Sequence, residues 1–186
     1  AAYAVTATPV FAAAPDGASG PWADSVVSVS QALRKDGSAV LPDRSDPTQA
    51  LGVAESTGAF YDVAIPGTFF SLGFGGSIVL GFDNYIVDGA GADLQAFEIT
   101  QGPTYPDEKL KVEISQNGST WVTIANPAVR DASIDFAGAL PWAKFVRVTD
   151  ISDATLFEAT AEGYDLDAVK ALNSAISIDP GCSYTQ

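Results

Sequence analysis

Past residue 60 the apolar residues fall into short runs separated by turn-forming residues, at 69–74, 77–82, 94–100, 110–116, 120–125 and 145–151. Runs of this length and spacing predict β-strands joined by tight connections. The clearest case is 111–124, where Val112 and Ile114 alternate with polar residues, as do Val122 and Ile124. Between them lies Asn117-Gly118, the dipeptide that best accepts the positive φ angles of a type I′ turn, so the segment predicts a β-hairpin. Residues 22–30 add a further strand, and 34–58 carry Asp, Pro, Gly and Ser at the density of a long loop, a kind of loop often pinned by a ligand. Gly73-Phe74-Gly75-Gly76 reads as a β-turn, since it fits neither phosphate-binding fingerprint. Only 159–175 is compatible with helix, and Gly163 and β-branched residues oppose it there. The predicted fold class is all-β: an antiparallel β-sandwich or jelly roll with an extended N-terminal arm.

Three segments are expected: an arm at 1–20, a β-sandwich domain at 21–176 and a tail at 177–186. The arm is rich in Ala, Val and Thr, with Pro9 and Pro15 and no helical stripe. Alone in water such a segment exposes strand edges and apolar side chains. Its Val5, Val10 and Phe11 are therefore expected to be buried against another copy, as in a homopolymer.

With 186 residues and 47% hydrophobic composition the chain suits one folded domain. Its 23 acidic against 9 basic residues give a formal charge of −14, which repels nucleic acid and anionic lipid and attracts cations. The absence of His excludes Ser-His-Asp and Cys-His catalysis and His-ligated zinc. Ala1-Ala2-Tyr3-Ala4 looks like what a signal peptidase leaves behind, so an extracellular or cell-surface location is expected. Cys182 has no partner for an internal disulfide, and no apolar run reaches the roughly 20 residues of a membrane span.

The acidic stretches carry the candidate chemistry. In 83–93, Asp83, Asp88 and Asp93 alternate with Gly89 and Gly91, and Glu98 follows. Glycine lets such a loop wrap tightly while Asp and backbone carbonyls supply the hard oxygens that calcium takes. Asp165 and Asp167 fall on one side of an extended segment and predict a second group of ligands, completed by Asp46 or Glu55 of the long loop. Asp107 and Glu108, beside Pro106, read as ordinary loop carboxylates. Paired carboxylates also suit a glycosidase, and Trp22, Trp121, Trp142, Tyr61, Tyr85 and Tyr105 have faces that can stack on sugar rings.

Five segments, taken in order, resemble a group of bacterial secreted cell-surface proteins with a galactose-binding, discoidin-like jelly roll: 21–27 (PWADSVV), 50–52 (ALG), 71–80 (SLGFGGSIVL), 88–94 (DGAGADL) and 163–169 (GYDLDAV). The resemblance covers about residues 21–172. It implies a surface module with calcium holding loops together, with Asp88, Asp93, Asp165 and Asp167 among the ligands and Asp83 and Glu98 beside them. The chain departs from the pattern at Ala90, where Pro is expected, and at 53–57, which replaces an Asp-Gly ending. The function expected first is a self-assembling fibre or surface-layer subunit with structural calcium and no enzymatic activity. A carbohydrate-binding module that takes polysaccharide comes second, and a glycoside hydrolase or lyase third.

Overall fold

The computed structural model describes residues 12–13, 20–56, 65, 67–99 and 104–175. Strands run at Ala12–Ala13 (β1), Ser25–Ser30 (β2), Phe70–Ser71 (β3), Ser77–Val87 (β4), Leu94–Glu98 (β5), Leu110–Ser115 (β6), Val122–Ala128 (β7), Ser133–Ile134 (β8), Trp142–Asp150 (β9), Asp165–Ala171 (β10) and Ser174–Ala175 (β11). They form two antiparallel sheets, β1-β2-β4-β9-β6-β7 with β11 also on β4, and β3-β10-β5-β8. Alternation drives the layering: Leu110, Val112 and Ile114 of β6 and Val146 and Val148 of β9 are fully buried, and they meet Leu94 and Ala96 of β5 and Leu166 and Val169 of β10 from the other sheet. Each such aliphatic side chain contributes about 1.5–3 kcal/mol on leaving water. The all-β sandwich expected from the sequence is the architecture observed.

Several local expectations are corrected. The β6–β7 hairpin forms, but Ile114 pairs with Val122, so residues 116–121 make a longer loop than a two-residue type I′ turn. Gly118 has φ +73° whereas Asn117 is not in the left-handed region; its Oδ1 instead accepts from the N–H groups of Ser119 and Thr120, both at 2.9 Å. The segment compatible with helix supplies β10 and β11, because Gly163 turns at φ +69° and β10 finds ladder partners in both β3 and β5. Strand β4 runs on to Val87, paired with β9 and β11, so Asp83 lies within a strand and apart from the 88–93 loop. The β-turn at 73–76 is present, with the Gly76 N–H donating to Gly73 O.

The long loop carries two 3-10 turns, Pro42–Arg44 and Pro47–Ala50, and buries Ala50 and Leu51 in the core cluster. At the N-terminal side Ala12 and Ala13 pair with Val26 and Ser25 of the same chain. Val5, Val10, Phe11, Tyr61 and Cys182 lie outside the described residues, as do 14–19 and the tail from 176. Among the described residues no helix is long and apolar enough to cross a membrane.

Candidate functional site

Two acidic centres lie at the two ends of β5, about 16 Å apart by the rise of an extended strand. The first forms where the loop after β4, the start of β5 and the turn after β8 converge. Carboxylate oxygens of Asp88, Asp93 and Asp135 lie within 4.8 Å of one another. Asp93 is fully buried and organises the loops, accepting from Gly89 N at 2.7 Å, Asn173 Nδ2 at 2.8 Å and Phe136 N at 2.7 Å. Asp88 Oδ1 is buried without a hydrogen-bond partner, while Asp135 is exposed and accepts from Ala137 N at 2.6 Å. Arg34 and Arg44 pair with Glu162, and Lys111 and Arg147 with Glu113, so these four cations are committed elsewhere.

The second centre follows from strand phase. The alternation that buries Leu94 and Ala96 turns Glu98 inward too, and the phase of Leu110, Val112 and Ile114 extends back to Glu108. Glu98 is 1% exposed and Glu108 6%. Both Oε atoms of Glu98 are buried without a hydrogen-bond partner. The fully buried Tyr164 hydroxyl also has no partner. A buried acceptor without a donor costs about 1–3 kcal/mol, and more when ionised. Burial pushes Glu98 and Glu108 well above the usual carboxylate range, and Asp165 adds to both shifts. Asp165 is itself pushed up to about 7, by burial, against the Ser71 hydroxyl and the Arg44 charge that hold it down. A polar cavity of about 50 Å³ is lined by Arg44, Tyr105, Glu108, Glu158, Glu162 and Asp165 among others, and Glu98 is not part of its lining.

The sequence-predicted ligands thus separate. Asp88 and Asp93 come together, while Glu98 and Asp165 lie away from them at the other end of β5. Asp83 stands apart, exposed, its N–H donating to Asp24 Oδ2 and its carbonyl accepting from Lys144 Nζ. Asp165 and Asp167 are not a pair: the register shift between Leu166 and Ala168 makes Asp167 the extra residue of a bulge. Asp167 accepts from the Glu55 and Ser56 N–H groups, and burial pushes it up to about 7 with help from the Glu55 carboxyl. Asp46 caps a 3-10 turn through Thr48 and joins neither centre. Glu108, read as a loop carboxylate, is buried, whereas Asp107 is exposed. Its signal lay in the strand phase shared with Leu110, and that of Asp135 in a place between buried Ile134 and Phe136; Tyr164 had none.

The three Trp are each partly exposed. Lys170 lies over the ring of Trp22 at 5.1 Å and Arg147 over Trp121 at 4.5 Å, while Trp142 meets Tyr85 edge to face at 5.1 Å.

No protein-family model matches the chain, and no curated protein matches it. Among solved structures it is similar to a protein described as a glycoside hydrolase, at 12% identity and a TM-score of 0.37 over 77% of this chain and 30% of that one. It is also similar to the C-terminal domain of a chitobiase from Bacteroides fragilis, at 16% identity and a TM-score of 0.32 over 53% of this chain and 65% of that one. The chain spans less than two thirds of the length of either.

Proposed function

We propose that this chain is a non-catalytic, extracellular β-sandwich subunit of a surface or fibre assembly, with calcium as a structural ion between its loops. The observation that carries the proposal is the convergence of Asp88, Asp93 and Asp135 within 4.8 Å, with one buried oxygen of Asp88 lacking a donor. Ionised carboxylates at that spacing repel one another, and a bound cation turns the repulsion into attraction. Calcium fits an all-oxygen, loop-borne donor set better than magnesium, which holds to octahedral geometry and keeps most of its water. The assembly role is supported by the β2 edge: among the described residues β1 pairs with it at Ser25 and Val26, while Val29 farther along is 44% exposed. Polysaccharide binding is the second reading, favoured by the partial exposure of Trp121 and Trp142.

Calorimetric titration with calcium chloride, paired with thermal melts, tests the site. Saturating calcium is expected to raise the melting temperature by about 5–10 °C over the chelated chain, the range for a ligand at about 100 times its Kd. The Asp88→Asn/Asp135→Asn variant is expected to lose one calcium equivalent and part of that rise. Retention of every equivalent and of the whole rise in the variant overturns the assignment.

A further inference from the structure

We infer that Asn117, in the loop between β6 and β7, is a modification site, an N-glycosylation acceptor whose Nδ2 takes a glycan from a diphosphate-activated donor. Of the reading above it rests only on export of the chain; neither calcium nor assembly enters it. Asn stands at 84, 117, 126 and 173, and Asn117-Gly118-Ser119 alone has a hydroxyl residue two places on with no Pro between. A polar turn joining two strands is enough to explain the three residues, so the deciding question is which atoms of Asn117 the turn uses. Its Oδ1 accepts from the Ser119 N–H, the Ser119 hydroxyl and the Thr120 N–H, each at 2.9 Å. Among the described residues nothing accepts from its Nδ2. The same turn recurs in this chain, built each time on Asp. Asp36 accepts from Ser38 N at 2.9 Å and Oγ at 2.5 Å, and Asp46 from Thr48 N at 3.0 Å and Oγ1 at 2.7 Å. Asp153 accepts from Thr155 N at 3.0 Å and Oγ1 at 2.7 Å. A carboxylate oxygen therefore serves the turn as well as an amide oxygen. What Asn117 adds is an amide nitrogen, and the turn leaves it unused.

The surroundings leave that nitrogen accessible. The β6–β7 ladder ends at Ile114 and Val122, and beyond it Asn117, Ser119 and Thr120 are exposed. Gly118 lies over the Phe145 ring of β9, where a Cβ would stand 3.7 Å from the ring, so the loop backbone rests on the sheet while its polar side chains face water. In the transfer, a bond forms between Nδ2 and the anomeric carbon of the donor sugar as the bond from that carbon to the diphosphate oxygen breaks. The electron pair leaves with the diphosphate, and one amide proton passes to a base of the transferase. The donors on Oδ1 draw electron density to the oxygen and make the amide N–H more acidic, which eases loss of that proton.

The experiment is mass spectrometry of the tryptic peptide 112–130, bounded by Lys111 and Arg130, from the chain as its own cells make it, with cells and medium analysed separately. The expected result is a glycan on Asn117, and enzymatic release in heavy-oxygen water leaves a labelled Asp in its place. Asn117→Asp keeps the acceptor that the turn needs and removes the nitrogen, so it is expected to melt within a few degrees of the deglycosylated parent and to give the bare peptide. Ser119→Ala keeps the amide and both backbone donors and is expected to lose the glycan, while Ser119→Thr keeps it. Where Asn117→Asp does not fold, the Ser119 pair decides. A bare peptide in both fractions of the parent overturns the inference, as does Asp at 117 with no glycan, the product of spontaneous hydrolysis at Asn-Gly. A glycan that persists in Ser119→Ala overturns it too. The division of the chain between cells and medium tests the extracellular reading separately, whatever the peptide carries.

Discussion

At the scale of single residues the chain is unusual in how many acids it buries: Asp93, Glu98, Glu108, Asp150, Glu162, Asp165 and Asp167 are all nearly inaccessible. They differ in what satisfies them. Asp93 has three donors, and Glu162 has Arg44 and the Leu41 N–H. Asp165 faces Ser71, Arg44, Glu162 and Asp150, and Asp167 faces Glu55 and the Ser56 N–H; both are pushed up to about 7, mainly by burial. The sign of the pH effect follows. These two groups bind protons more tightly in the folded chain than in the unfolded one, where a carboxyl titrates near 4. Their contribution is fully present below about pH 4 and is lost as the pH rises through about 7. The chelated protein is therefore expected to have a higher urea midpoint at pH 5 than at pH 8. Equal midpoints in chelator at the two pH values contradict this.

At the scale of elements, the β6–β7 hairpin shows how one dipeptide serves two different turns. In a type I′ turn Asn is chosen for its tolerance of positive φ, and Gly replaces it without loss. Here the Asn117 side chain is an acceptor for Ser119 and Thr120, while Ser115 Oγ accepts from the Asn117 and Gly118 N–H groups. Asn117→Gly is thus expected to destabilise the chain by about 1–2 kcal/mol through lost acceptors, a difference readable by urea denaturation. A neutral substitution would point back to a φ-driven turn. The 73–76 turn is constrained by close approach instead: a Cβ on Gly76 would meet Leu72 O at 1.8 Å, and one on Gly73 would meet Ala32 O at 2.3 Å. These contacts hold the chain entering β4 against the loop that leaves β2.

At the scale of the whole molecule, two antiparallel sheets share one core, and among the described residues β1 pairs with Ser25 and Val26 of β2. The core cluster of the described residues is drawn from 23–171. Deletion of residues 1–14 is therefore expected to leave the melting temperature within a few degrees of the parent while abolishing higher-order assembly, as measured by sedimentation velocity. A parent that is monomeric at high concentration removes the assembly proposal. A truncated chain that melts far lower shows that the arm serves its own sandwich. The charge of −14 adds that association of copies is repelled in the absence of bound cations.

What the sequence determined by itself was everything that depends on local periodicity. The six predicted runs from residue 69 onward each overlap a strand, and residues 22–30 contain β2, because alternation of apolar residues is a property of neighbours along the chain. Asp88 and Asp93 were legible for the same reason, lying in one short Gly-containing loop. The tertiary structure decided what depends on register between strands and on which chain ends meet. It placed Asp135, 42 residues beyond Asp93, against it through the β5–β8 pairing. It buried both Glu98 and Glu108, and it separated Asp165 from Asp167 by a bulge. A carboxylate in a strand reads the same along the chain whether it faces water or the core, and only the packing of the two sheets settles which.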